Sequence, residues 1–260
     1  LYIAGQSLRK NSKKKSPKKM TGKKPYIKIM KDGPCLLFGA EKAVQKFILP
    51  NWEGISAEYA DGRSFDIKPG RPAALCRCGQ SKDAPFCDGA HTESPAFDGS
   101  GTAGFKPFSE CAEVIDGPDV TLLDHENLCA FARFCDAGGQ IWNLVKAGGP
   151  EATELAIREA DLCPSGRLVI LDKQGCVLGK QLPPGIGLLE DLALRISGPI
   201  QLTGNIQVES EDGQSYEVRM KQTLCRCGRS ENKPFCDGRH AAEPGWCACY
   251  PSPPPAEKND

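Results

Sequence analysis

The sequence predicts an α+β protein in which two similar β-rich halves flank a smaller inserted α+β segment. Three observations predict it. A sixteen-residue pattern carrying three cysteines and one histidine occurs twice, at residues 76–91 and 225–240. Strand-like stretches and an Asp-Gly pair precede each copy, so the repeat is larger than the motif. Between the copies, residues 106–183 break the repeat with a helical stretch and a cysteine pattern of their own. A chain of 260 residues has room for one or two ordinary domains, or for several small ones held together by something other than a large core.

Residues 1–31 hold eleven of the 33 Lys and Arg and no acid, which leaves 22 basic against 33 acidic side chains, a net of −11, in the remainder. This arm lacks apolar periodicity and the Arg-rich amphipathic pattern of a transit peptide, and it reads as a solvated, disordered extension. The acidic body argues against nucleic acid as a partner, because phosphate binding needs clustered Lys and Arg on the folded surface. No run approaches the roughly 18 apolar residues of a membrane span. A soluble, cytoplasmic protein is expected.

The first half, residues 32–105, contains Cys76-Arg-Cys78-Gly-Gln-Ser81, then Pro85-Phe-Cys87-Asp88-Gly89-Ala-His91. The second half, residues 184–250, contains Cys225-Arg-Cys227-Gly-Arg-Ser230, then Pro234-Phe-Cys236-Asp237-Gly238-Arg-His240, and a Pro-rich tail follows at 251–260. Upstream, Gly33-Pro34 and Gly39 parallel Gly198-Pro199 and Gly204, and Asp61-Gly62 parallels Asp212-Gly213. Downstream, Phe97 and Trp246 each stand six residues past the His. Each unit thus predicts two strands, a tight Asp-Gly turn, a third strand and a ligand loop. Two such three-stranded pieces, each too small for a core, are expected to pack on each other.

Fourteen cysteines in a chain of this type suggest metal ligands. Cys76 and Cys78, at i and i+2, place both sulfurs on one side of an extended segment and can share a metal atom, as can Cys225 and Cys227. Cys87 and His91 are four apart and can face a second atom if the stretch opens a helix, with Pro85 at its start and Asp88 accepting from free N–H groups. Cys236 and His240 repeat that relation. Spacing alone is equally compatible with two Cys3His zinc sites.

Position by position, both stretches resemble the CDGSH iron-sulfur (mitoNEET-like) family, except for Ala90 and Arg239 at the family's Ser position. The resemblance implies a [2Fe-2S] cluster in each half, with the C-x-C pair on one iron and the later Cys and His on the other. It also implies an intertwined β-rich fold, here with both halves in one chain as an intramolecular pseudo-dimer, and so a monomer with an internal pseudo-two-fold.

Within the insertion, Val120 to Leu123 and Leu168 to Leu171 read as strands. A helix runs from Pro150 through Ala152, Leu155, Ala156 and Ala160 on one face and stops before Pro164. With Cys129, Cys135 and the Cys163-Pro164 pair, this layout resembles the divergent single-cluster ferredoxins that space their ligands as C-x5-C and a distant C-P. Ala132 stands where bacterial ferredoxins place a middle Cys. The three remaining thiolates suit a [3Fe-4S] cluster, or a [4Fe-4S] cluster whose fourth iron takes Asp136, His125, Cys111 or solvent. Cys35 reads as a small core hydrophobe, Cys176 as a turn residue, and Cys247 with Cys249 as an incidental pair. None of the Gly pairs follows a strand and opens a helix in the dinucleotide-binding order.

A cluster with one imidazole is expected at a potential between the all-thiolate and the two-His cases, with pH-dependent retention. Electron transfer to a redox protein with a basic surface is therefore the expected function. Cluster storage, sensing or donation to an apo-protein is the alternative. No nucleophile, base and oxyanion arrangement is present, so catalysis is not expected.

Overall fold

The computed structural model describes residues 24–94, 97–99, 103–242 and 244–248. Most of the basic arm, the Pro-rich tail and Cys249 lie outside them. The strands of the first half are β1 (Tyr26–Ile29), β2 (Cys35–Phe38), β3 (Lys42–Pro50), β4 (Ser56–Asp66) and β5 (Ala73–Leu75). The insertion adds α1 (Phe108–Cys111), β6 (Glu113–Asp116), β7 (Thr121–Asp124), α2 (Ile141–Ala147), α3 (Pro150–Leu162), β8 (Leu168–Leu171) and β9 (Val177–Leu178). The second half follows with β10 (Gly185–Asp191), β11 (Ile196–Thr203), β12 (Gln207–Ser210) and β13 (Lys221–Leu224).

Neither half closes its own sheet. One sheet has the order β12-β1-β2-β5 and the other β13-β11-β10-β3-β4. The first takes β12 from the second half, and the second takes β3 and β4 from the first half, each exchange being joined by a parallel pairing: Tyr26 stands opposite Gln207, and Gly187 opposite Val44. The remaining pairings are equivalent, with Cys35 opposite Leu75 and Ile200 opposite Leu224. Period-2 alternation turns Ile27, Leu37, Leu75, Leu188, Ile200, Leu202 and Leu224 into one shared core, each at most 1% exposed. Cys35 is fully buried in that core, as its apolar neighbours predict.

Two readings are corrected. Tyr26–Ile29 are not part of a disordered arm. Their alternating burial seats Ile27 and Ile29 in the core between β2 and β12, and this outweighs the basic composition around them. Asp61-Gly62 is not a turn either. It lies within β4 at a register shift opposite Val44–Lys46, where a Cβ on Gly62 would stand 2.5 Å from the Phe47 ring. The β3–β4 turn is supplied by Asn51, whose side chain accepts from the N–H groups of Glu53 and Ile55. In the second half Asp212-Gly213 does turn, with Gly213 at φ +87° donating to Ser210 O at 3.0 Å.

The insertion has its own antiparallel sheet, β6-β7-β8-β9, covered by α2 and α3. Strands β7 and β8 and the span of α3 agree with the sequence pattern; β6 and β9 are not predicted by it. It docks on the second sheet through Ala132 and Phe134, which pack with Ile48 and Tyr59. Tyr59 donates to Leu162 O at 2.7 Å, and Arg133 meets Asp191 at 2.5 Å. From β13, Lys221 Nζ donates to the carbonyls of Ala160 and Asp161 at the C-terminal end of α3, where a cation is favoured.

Candidate metal centres

Both ligand loops fold back on the preceding strand in the same way. Cys76 N–H donates to Pro85 O and Cys87 N–H to Ala74 O, and Cys225 and Cys236 repeat this with Pro234 O and Thr223 O. The Ser of the motif donates to the Phe carbonyl, Ser81 at 2.6 Å and Ser230 at 2.7 Å. The Asp is held at both oxygens: Asp88 accepts from Lys82 and Ala90 N–H, and Asp237 from Glu231 and Arg239 N–H. The Gly that follows takes positive φ, +93° at Gly89 and +86° at Gly238, which only glycine adopts without strain. These bonds account for the Ser, Pro-Phe, Asp and Gly of the pattern.

The expected helix start at Pro85 is not found. Pro85 lies in the fold-back beside the Leu75–Phe86 bridge, and only a short 3-10 turn, Ala90–Glu93, follows Gly89. A turn of that pitch still brings Cys and His together.

The ligands meet in pairs. Cys76 and Cys78 have their sulfurs 3.5 Å apart, Cys225 and Cys227 3.8 Å. Sγ of Cys87 lies 3.4 Å from Nδ1 of His91, and Sγ of Cys236 3.4 Å from Nδ1 of His240. Two sulfurs on one tetrahedral metal atom at about 2.3 Å stand about 3.8 Å apart, so each pair fits one metal atom. Among the described residues no three His, Cys, Asp or Glu side chains gather about one point.

The donors carry a charge problem that a metal would solve. In each C-x-C pair one thiol ionises readily, Cys76 at about 5 and Cys225 at about 6, stabilised first by its partner's S–H and then by backbone N–H groups. That partner, Cys78 or Cys227, is held protonated by the same hydrogen bond and by burial. Burial also raises Cys87 and, more strongly, Cys236. His240 is lowered to about 4 by burial and then by Arg226, which keeps its imidazole neutral and able to ligate. Ionising all three thiols of a set would need a cation among them, which a bound metal would supply.

Arginine fills the middle of both C-x-C pairs, a repetition visible in the sequence whose role the motif spacing did not reveal. Arg77 donates from Nε to Gly33 O at 2.6 Å and from Nη2 to Met30 O and Gly99 O at 2.6 and 2.7 Å. Arg226 donates from Nε to Gly198 O and from Nη2 to Leu189 O and Glu190 Oε1, all at 2.8 Å. Each guanidinium lies over the aromatic ring six residues past the His, Phe97 at 5.3 Å and Trp246 at 5.1 Å. The arginine therefore fixes the ligand strand, the preceding strand and the closing aromatic together.

In the insertion, Cys163 is buried at the end of α3, with Ser165 Oγ 3.6 Å from its sulfur, and Cys129 and Cys135 are half-buried on the loop before α2. Burial, Asp136 and the thiols of Cys163 and Cys129 push Cys135 up to about 12, so the three stand within electrostatic reach of one another. Three of the six non-Gly residues with positive φ among the described residues, Phe131, Arg133 and Gln140, fall on this one loop. Such strain persists where surrounding structure enforces it. Arg167 chelates Asp124 beside Cys129 and lies over Trp142 at 5.7 Å. Asp136 adjoins the thiols, whereas His125 and Cys111 line a cavity of about 320 Å³ whose walls include none of the three. Cys176 and Cys247 are exposed.

No helix among the described residues is long and apolar enough to cross a membrane. Residues 32–92 and 197–241 match the family described as iron-binding zinc finger CDGSH type, and residues 115–173 match the divergent 4Fe-4S mono-cluster family. No curated protein and no solved structure matches the chain. The chain is thus an iron-sulfur protein of the CDGSH family in tandem form, with a divergent single-cluster ferredoxin domain inserted between its two family segments.

Proposed function

We propose that the protein transfers electrons and has no catalytic activity of its own. Cys76, Cys78, Cys87 and His91 hold one [2Fe-2S] centre, and Cys225, Cys227, Cys236 and His240 a second. Cys129, Cys135 and Cys163 hold a further ferredoxin-type centre of the [4Fe-4S] or [3Fe-4S] class. The strand exchange supports reading the two halves as a pseudo-dimer within a monomer.

The observation that carries the reading is the grouping of donors two by two, 3.4 to 3.8 Å apart, which suits a two-atom centre better than one zinc held by four ligands. A cluster so held supplies a one-electron couple. The chain does the rest. Gly238 N–H donates to Sγ of Cys236 and Arg229 N–H to Sγ of Cys227, both at 3.4 Å, spreading thiolate charge into the backbone. Phe97 and Trp246 exclude water from the arginine side. The partner is a redox protein, steered by the acidic body to a basic surface.

Iron and acid-labile sulfide counts, with low-temperature EPR before and after dithionite, test this. Two His-ligated signals and a third distinct one are expected. Colourless protein holding zinc would overturn it. A second reading, donation of a cluster to an apo-protein, is favoured at the first site alone, where Cys87 and His91 are half-buried. Visible circular dichroism during incubation with an apo-ferredoxin distinguishes the two, since donation transfers the signal within minutes.

A further inference from the structure

Among the described residues the inserted domain touches the second CDGSH site at a place whose counterpart in the first is open. Gly238, at φ +86°, lies so close to the insertion that a Cβ on it would stand 3.1 Å from Cys129 O and 3.4 Å from Phe131 Cβ. Its N–H points the other way, to Sγ of Cys236 at 3.4 Å. Across the same seam Asn232 Nδ2 donates to Asn127 O at 2.9 Å. Gly89, the equivalent of Gly238, has nothing within 4 Å of a Cβ built on it, and Asp83, the equivalent of Asn232, is exposed.

The two CDGSH sites meet each other through backbone as well. Cys78 and Cys227 form an antiparallel bridge, and a Cβ on Gly79 or Gly228 would stand 2.6 Å from the carbonyl oxygen of Cys227 or Cys78. The three ligand sets therefore stand in a row with the second CDGSH set in the middle and a glycine at each joint. Electron tunnelling falls steeply with distance and is favoured by unbroken bonded and hydrogen-bonded contact.

Charge gives the row a direction. Counting on two residues from the equivalent pairs Ile29–Cys35 and Leu188–Ile200, Lys31 takes in the first half the place of Glu190 in the second; Arg226 donates to the Glu190 carboxylate, whereas Arg77 donates to carbonyls. An added electron is better stabilised beside the uncompensated cation.

We infer that the protein is an ordered intramolecular relay, resting on the electron-transfer reading above. An electron enters at the Cys129, Cys135 and Cys163 set, passes across the Cys129–Gly238 contact to the second CDGSH set, and leaves from the first. Each hop would take one electron from the iron held by the giving set and add one to the iron held by the receiving set. A reduced flavoprotein supplies the electron, an oxidised one-electron carrier protein removes it, and no bond or proton need move.

The test is EPR on the fully loaded protein, with His91→Cys and His240→Cys variants used to assign the two CDGSH signals. On redox titration, the line width and relaxation of the second-site signal are expected to change with the state of the inserted centre, and those of the first-site signal are not. With a limiting amount of reduced flavoprotein, freeze-quenched samples are expected to show the second-site signal before the first. In Cys129→Ser both effects should vanish. Equal response of both signals, response of the first alone, no response, or reversed order would each overturn the relay. Missing iron and sulfide would instead overturn the electron-transfer reading, so the two failures are distinct.

Discussion

The two CDGSH sites have the same candidate ligands at the same spacing and live in different surroundings. Cys87 and His91 are half-buried, while Cys236 and His240 are 3% and 4% exposed. The first has an open glycine and a lysine where the second has the insertion and a buried Arg226–Glu190 pair. The motif decides what binds. The shell around it decides potential, access and retention.

The largest expected effect is loss of the third centre. Cys129→Ser should abolish its signal and leave two His-ligated signals in EPR; loss of all three would mean that the second site depends on the insertion for assembly and not only for cover. Next come the arginines. Arg226→Ala leaves the Glu190 carboxylate buried without its cation and is expected to cost about 3–5 kcal/mol. Arg77→Ala loses bonds to carbonyls and the Phe97 contact but strands no carboxylate, and should cost about 1–3 kcal/mol. Urea midpoints of the loaded proteins would rank them, and equal losses would remove the charge difference from the comparison.

Exchanging the imidazole for a thiolate sharpens the contrast. His91→Cys and His240→Cys should each lower only their own centre's potential, by on the order of 100 mV. Slower loss in acid should be larger for His91→Cys, because the second site is already sealed. Glu190→Gln removes a charge beside the second site alone. It should raise that centre's potential by on the order of tens of millivolts toward the first, as redox titration would show.

The smallest effect acts on the seal. Burial, opposed by the Gly138 N–H and aided by Asp136, raises the Glu159 carboxyl in α3 from 4.5 to about 7. The folded state therefore binds this proton more tightly than the unfolded one. Its contribution to stability is full below about 4.5 and is lost as pH rises through about 7. The thermal midpoint of the loaded protein should fall between pH 6 and pH 8, and Glu159→Gln should flatten that dependence.

What the sequence disclosed follows the range of the interactions. The ligand loops were legible because their bonds, from Ser81 to Phe86 or Asp88 to Ala90, close within a few residues. Strands β7 and β8 and helix α3 were legible from periodicity. The parallel pairings of β1 with β12 and β3 with β10 were not, since no local pattern tells a strand that its partner is 181 or 143 residues away. The same non-local pairing recruited Tyr26–Ile29 from a stretch that reads as a basic arm. Arg77 and Arg226 were visible as a repeated residue, but their acceptors, Met30, Gly99 and Leu189, are distant in the chain. The unequal burial of His91 and His240 is encoded in neither motif, since the two read alike.

The exchange of strands also bears on how the molecule is made. Residues 26–75 leave the ribosome first, yet their sheet lacks β12 until residue 210 has been synthesised, and the whole insertion is completed in between. Long-range pairing of this kind folds slowly. During that interval Cys76, Cys78 and Cys87 wait on an unfinished scaffold, so a centre held there is expected to form only after β12 has been made.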